Sequence, residues 1–322
     1  MFIRKWIIAR LEIFYIFLLD NALKFTLWIS KKPLKYLSIN RNRTSYYFVL
    51  MKSFIAVISL LLCAVLKLHA QQPVDDLISA EKKFASISKE QSTRTAFLSS
   101  IDSNCVGFRE GNLINAFTEW SNRPEATYKL TWQPEYAVIA SSGEIGFTTG
   151  PWELRPSSLN DTPVARGHYT TIWKKAFSGK WKAVCDIGTS YNTAYVPAKD
   201  VKSKTLSHSN TPLLDSVAAM AVETSFISRL EKDNISAYAD CVTTDTWFNI
   251  NEHQPARNPQ AIEQAIHQIP SDIKFAPSGI WISSSNDMIC VYGIATSGKQ
   301  KTGYQRVWGL QNGQWKLLIQ VM

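Results

Sequence analysis

The chain has 322 residues, 45% hydrophobic and 19% charged, with a formal net charge of +9. The charge is uneven: residues 1–70 hold 11 Lys and Arg against 2 Asp and Glu, leaving 24 of each sign for residues 71–322. Phosphate-backbone binding needs clustered cations, and the larger part shows only scattered ones, which speaks against nucleic acid as a partner.

Residues 1–50 are rich in Ile, Leu, Phe, Tyr, Lys and Asn, but Arg10, Glu12, Asp20 and Lys24 interrupt the apolar run. No stretch there reaches the roughly 18 uncharged apolar residues of a spanning helix. This segment reads as upstream sequence ahead of the true start or, alternatively, as a basic amphipathic extension lying on a membrane surface. At Met51-Lys52-Ser53 a second start follows, with thirteen uncharged residues from Phe54 to Leu66 and then Leu68-His69-Ala70. A basic head, a short apolar stretch and a small residue before the cut are the layout of a secretory signal peptide. The expectation is export, periplasmic or secreted, with cleavage near Ala70 and no stable membrane span in the mature chain.

Behind Asp75 and Asp76, Leu77, Ile78, Phe84 and Ile87 recur at helical spacing over 75–90, and a shorter helix is expected near 92–102. Strands follow. Gly167-His168-Tyr169-Thr170-Thr171-Ile172-Trp173 leads through a turn into Gly179-Lys180-Trp181-Lys182. Residues 189–210, rich in Asn, Ser, Thr, Lys and Pro, read as a linker. Further helices are expected over 212–232 and 234–242, and another opening at Asn258-Pro259, with Pro at its first turn. The tail then repeats as Gly303-Tyr304-Gln305-Arg306-Val307-Trp308 and Gly313-Gln314-Trp315-Lys316. Two more blocks repeat. Glu81-Lys82-Lys83-Phe84 precedes Glu223-Thr224-Ser225-Phe226 by 142 positions, and the turn and strand at Ser142–Gly150 precede Ser285–Gly293 by 143. A nearly constant offset across separate blocks signals duplication. Helices first and strands after indicate an α+β unit with helices on one face of a curved antiparallel sheet. The expected domains are 71–188 and 211–322.

Leu130-Thr131-Trp132-Gln133-Pro134-Glu135-Tyr136, Gly143–Trp152, Gly167-His168-Tyr169 and Cys185-Asp186-Ile187-Gly188 resemble the SnoaL-like and DUF4440 branch of the NTF2-like superfamily. The likeness covers about residues 75–190 well and 213–322 more loosely. It implies two tandem NTF2-like (cystatin-like) cone folds, each with helices over a strongly bent sheet that encloses a pocket. Ketosteroid isomerases, polyketide cyclases, dehydratases and pure binding modules share that fold, so the fold leaves the function open.

Three functions remain. An aromatic-rich pocket without a compelling catalytic set points to binding of a small apolar molecule, with Trp132, Tyr169 and Trp173 as lining residues. An imidazole and a carboxylate on neighbouring strands, His168 and Asp186, offer an acid–base pair for isomerase, dehydratase or cyclase chemistry. The competing reading has His168 at a strand edge and Asp186 on turn amides. A third function is protein interaction, with a homodimer through the sheet as the candidate assembly. Gly293–Gln300 lacks the Ser or Thr that follows the Lys of a phosphate loop. No paired-cysteine or His-Glu-x-x-His spacing occurs, so neither cofactor nor metal is expected. Cys105, Cys185, Cys241 and Cys290 are even in number, and their pairing is left open between disulfides and buried thiols.

Overall fold

A computed structural model describes residues 73–207 and 213–322. The expected extension over 1–50 and signal peptide over 51–70 lie outside these residues. Helix α1 (Pro73–Glu90) has Asp75 and Asp76 in its first turn, where carboxylates favour the helix dipole. It buries Val74, Leu77, Glu81, Phe84 and Ser88 along one stripe. Helix α2 (Thr93–Ser100) starts at Ser92, whose hydroxyl accepts from the Thr95 amide. Strands β1 (Ile101–Arg109) and β2 (Asn112–Asn115) lead to α3 (Ala116–Asn122), a short helix capped by Asn115. Then come β3 (Lys129–Trp132), β4 (Tyr136–Ile139), β5 (Ile145–Arg155), β6 (Ala165–Lys175), β7 (Trp181–Ser190) and β8 (Lys202–Thr205). These form a sheet in the order β2-β1-β7-β6-β5-β4-β8, with β3 pairing on β5.

The second half has α4 (Ser216–Leu230), α5 (Asn234–Ala239), β9 (Trp247–Asn249) and α6 (Pro259–His267). Asp215 and Asn258 cap α4 and α6 by accepting from amides three residues on. Strands β10 (Lys274–Ile282), β11 (Met288–Ser297), β12 (Gln300–Gln311) and β13 (Gln314–Val321) make a sheet in the order β10-β11-β12-β13-β9. Among the described residues no helix is long and apolar enough to cross a membrane.

Two expectations are corrected here. The sheets are not purely antiparallel: β1 pairs β7, β4 pairs β8 and β9 pairs β13 in parallel. The stretch 189–210 is not a plain linker, because it completes β7 and supplies β8, which docks on β4 from Tyr136↔Lys202 to Ile139↔Thr205. Unpaired amides of an edge strand are satisfied by such a partner, which also protects the edge.

The recurrent Gly-x-Trp-Lys signature has a backbone cause. Gly179 (φ +79°) and Gly313 (φ +75°) close the β6–β7 and β12–β13 hairpins in the left-handed region that L side chains rarely adopt. Each hairpin then carries a bulge, between Ile172 and Trp173 in one and between Val307 and Trp308 in the other. An extra residue on one strand bends the pair and increases its twist, which curves the sheet toward its helices.

Each sheet has one face under its own helices and one against the other half. Ile172, Cys185, Phe147 and Val138 from the first sheet pack with Val307, Leu318, Ile319 and Cys290 from the second. Tyr136 stacks on Trp247 at 5.1 Å and 11°. The seam's polar contacts include Asn249 Nδ2, which donates to Thr149 Oγ1 (2.9 Å) and Thr170 Oγ1 (3.1 Å). Ser142 and Ser285, the repeat-related pair, meet hydroxyl to hydroxyl at 2.8 Å, and each amide donates to the other's hydroxyl at 3.3 Å. Reciprocal contacts of this kind are the pattern of an isologous interface, realised here within one chain. All four described cysteines are buried free thiols.

Candidate functional site

Under the helices of the first half, β6 presents Tyr169, Thr171 and Trp173, and the ladder sets Thr171 opposite Asp186. A carboxylate in helix α1 organises this face. Glu81 is fully buried and accepts from Trp132 Nε1 (2.6 Å), Thr148 Oγ1 (2.5 Å) and Trp173 Nε1 (3.0 Å). Burial raises its pKa to about 7, against the pull of the Thr148, Trp132 and Trp173 donors. Phe84, one turn further along α1, meets Trp132 edge to face at 4.7 Å and Phe97 at 4.9 Å. T-shaped packing of this kind fixes ring planes as well as filling space.

These rings enclose a cavity of about 210 Å³ lined by Phe84, Phe97, Leu130, Trp132, Trp152, Tyr169, Thr171, Asp186 and Gly188. Asp186 is the one ionisable carboxyl in this lining. Its Oδ1 accepts from Thr171 Oγ1 at 2.6 Å. Burial raises its pKa to about 6, and the Thr171 hydroxyl only partly offsets that. The Tyr169 ring lines the same wall, while its hydroxyl is buried out of reach of solvent near Thr148 and Glu81.

Of the residues expected to bind ligand, Trp132 and Tyr169 line this cavity, whereas Trp173 does not: its ring is 1% exposed and its N–H is taken by Glu81 and Thr148. The expected His168–Asp186 pair does not form. His168 sits opposite Thr189 and Asp186 opposite Thr171, so their side chains leave the sheet on opposite faces. Neither competing reading holds either, since His168 is fully buried on a central strand and Asp186 takes a side-chain hydroxyl.

His168 belongs to a different cluster. Its Nδ1 lies 2.8 Å from Tyr191 Oη and its Nε2 3.5 Å from Glu135 Oε2. Glu135 also accepts from Tyr195 Oη (2.7 Å) and the Ala198 amide, and Arg257 from the second half lies 3.6 Å away. Burial would raise Glu135, but the donors from His168, Ala198 and Tyr195 outweigh it and hold the carboxyl below its usual range. Burial lowers His168, and the neighbouring Glu135 opposes that only in part. The result is a neutral imidazole beside an ionised carboxylate. An ionised carboxylate only accepts, so Nε2 carries the ring hydrogen and Nδ1 receives the Tyr191 hydroxyl.

The strand pattern did not reveal Glu81, Glu135, Tyr191, Tyr195 or Arg257. Glu81 had a signal: it recurs as Glu223 in the repeat and falls within the apolar stripe of its helix. The others converge from segments far apart in the chain. Among the described residues no group of three or more His, Cys, Asp and Glu is placed to hold a metal ion.

No protein-family model matches the chain. No curated protein matches it either. Solved structures similar to part of it include an NTF2-like protein from Cytophaga hutchinsonii, at 16% identity and TM-score 0.28 over 34% of this chain and 97% of that one. A putative ketosteroid isomerase from Shewanella frigidimarina aligns at 14% identity and TM-score 0.28, covering 38% and 98%. An NTF2-like protein of unknown function from Shewanella oneidensis aligns at 18% identity and TM-score 0.29, covering 36% and 98%. These neighbours have NTF2-like and ketosteroid-isomerase-like folds and span about a third of this chain; at such TM-scores they carry no argument about its activity.

Proposed function

We propose that the first half binds a small, mainly apolar molecule carrying a hydrogen-bond donor, within a chain made of two NTF2-like units that works after export. The supporting observation is the Asp186 carboxyl, held by Thr171, set into an otherwise apolar cavity lined by rings. A cavity of about 210 Å³ suits a single ring better than a multi-ring body. Apolar pockets with a few convergent polar groups are where such ligands bind. Titration of the full chain with phenol, and with toluene as the ligand lacking a donor, tests this reading by NMR. Phenol is expected to shift the Trp132 and Tyr169 resonances and to lose its advantage over toluene in Asp186→Leu. Equal binding of both ligands by the unmodified chain would refute it.

A second reading, acid–base catalysis, has one observation in its favour. A carboxyl whose pKa is about 6 is poised to exchange a proton near neutrality. In this form Asp186 acts without His168, which lies on the other face. Exchange of deuterium into the α-carbon of a bound small ketone, rising with pH through about 6 and absent in Asp186→Asn, separates catalysis from binding.

A further inference from the structure

A second cavity, of about 450 Å³, lies beyond the Trp132 and Trp152 rings, which line both spaces. Its charge is opposite to that of the Asp186 cavity. Lys89, Arg155 and Arg166 line it, and Glu153 is its sole carboxylate. Glu153 is already committed to Arg155, whose Nη2 binds it while Nη1 donates to Thr131 Oγ1 at 3.1 Å. Arg166 sits directly across the ladder from Glu153, yet among the described residues neither Arg166 nor Lys89 has an ion-pair partner. The cavity thus carries two uncompensated cations beside a guanidinium held in place by two bonds.

The segment after β7 adds aromatic residues to the lining, with Tyr191 beside Arg166. Tyr191 is anchored by its amide, which donates to the Arg166 carbonyl at 3.1 Å, and by its hydroxyl on His168. Tyr195 is anchored by its hydroxyl on Glu135 and by Arg257, 5.3 Å over its ring. These bonds hold the two rings in place, which lowers the ordering cost of binding. Guanidinium groups recognise carboxylates in planar geometry, and rings accept a flat apolar body. The volume lies in the range of small-molecule sites.

We propose that this cleft is a binding site for a small planar organic anion, an arylcarboxylate, separate from the Asp186 cavity. Calorimetric titration of the full chain with benzoate, acetate and benzamide tests it. Benzoate is expected to bind about tenfold or more tightly than benzamide, which lacks the charge, and than acetate, which lacks the ring. Arg166→Gln is expected to weaken benzoate about tenfold, with Arg166→Lys recovering part of the loss. Arg166 makes no side-chain ion pair among the described residues, so thermal melts of these variants should match the parent. Asp186→Leu, which abolishes the phenol preference, should leave benzoate binding unchanged, so the two sites fail or stand independently. Equal affinity for benzoate and benzamide, or for benzoate and acetate, overturns the proposal. So does an Arg166→Gln variant that binds benzoate normally, or absence of benzoate binding.

Discussion

The two halves bury a glutamate at the same place and neutralise it in opposite ways. In the first half, Glu81 on α1 receives Trp132, Thr148 and Trp173, and Asp186 lies nearby with Thr171 as its one side-chain partner among the described residues. In the second half, Glu223 on α4 receives Trp308 Nε1 (2.8 Å), Tyr304 Oη (3.2 Å) and the Arg306 guanidinium. Arg306 occupies the ladder position that corresponds to Thr171, and Gln320 corresponds to Asp186; Arg306 Nε donates to Gln320 Oε1 at 2.7 Å. Its guanidinium is sandwiched by rings, 3.9 Å from Phe275 and 4.9 Å from Phe226. One arginine therefore supplies the charge partner for Glu223 and occupies the space under the helices. The first half has a small threonine there, and an open cavity with a carboxyl of raised pKa is the consequence.

Removing the arginine should break the comparison hardest. Arg306→Met leaves Glu223 buried without its cation, and urea unfolding should show a loss of about 3–5 kcal/mol. Asp186→Asn should act in the opposite direction. Its folded pKa of about 6 lies above the ordinary value of 3.8, so the folded chain binds the proton more tightly than the unfolded one. The native carboxyl therefore costs nothing below about pH 4, and its cost grows as pH rises to about 6 and then levels off. The variant should be about 1–3 kcal/mol more stable at pH 8 and equal to the parent at pH 3. Asn249→Ala, which takes a buried amide from two threonine hydroxyls at the seam, should cost about 1–2 kcal/mol by thermal unfolding. Ser142→Ala removes an exposed hydroxyl contact and should cost under about 0.5 kcal/mol. Transplanting the plug sharpens the comparison from the other side: Thr171→Arg with Asp186→Gln should fill the first cavity and abolish phenol binding, leaving benzoate binding intact.

The groups on the seam side of the sheet respond to pH in the reverse sense. Glu135 and His168 both have lowered folded pKa values, so each favours the folded state when deprotonated. Their contribution is complete above the ordinary histidine value of 6.5 and is lost as pH falls, first through the histidine and then through the carboxyl. His168→Gln should flatten the first of these losses in a series of denaturant melts between pH 7 and 5.

The sequence alone determined the local pattern. Apolar spacing behind Asp75 and Asp76 marked α1, Asn258-Pro259 marked the start of α6, and the two Gly-x-Trp-Lys turns marked the hairpins, because each of these follows from backbone conformations that few residues adopt. The repeat also singled out Glu81 with Glu223, although its role as the acceptor for two indoles was not visible. What only the tertiary structure decided is which side chains share a face. Counted back from a regular hairpin, Asp186 falls on the same side as His168; the bulge next to Trp173 shifts the register by one residue and carries Asp186 to Thr171 and the cavity. A strand has a period of two, so one extra residue reverses every face beyond it. Whether a chain inserts that residue is settled by how its sheet must curve to reach the helices, which neighbouring residues in sequence do not encode.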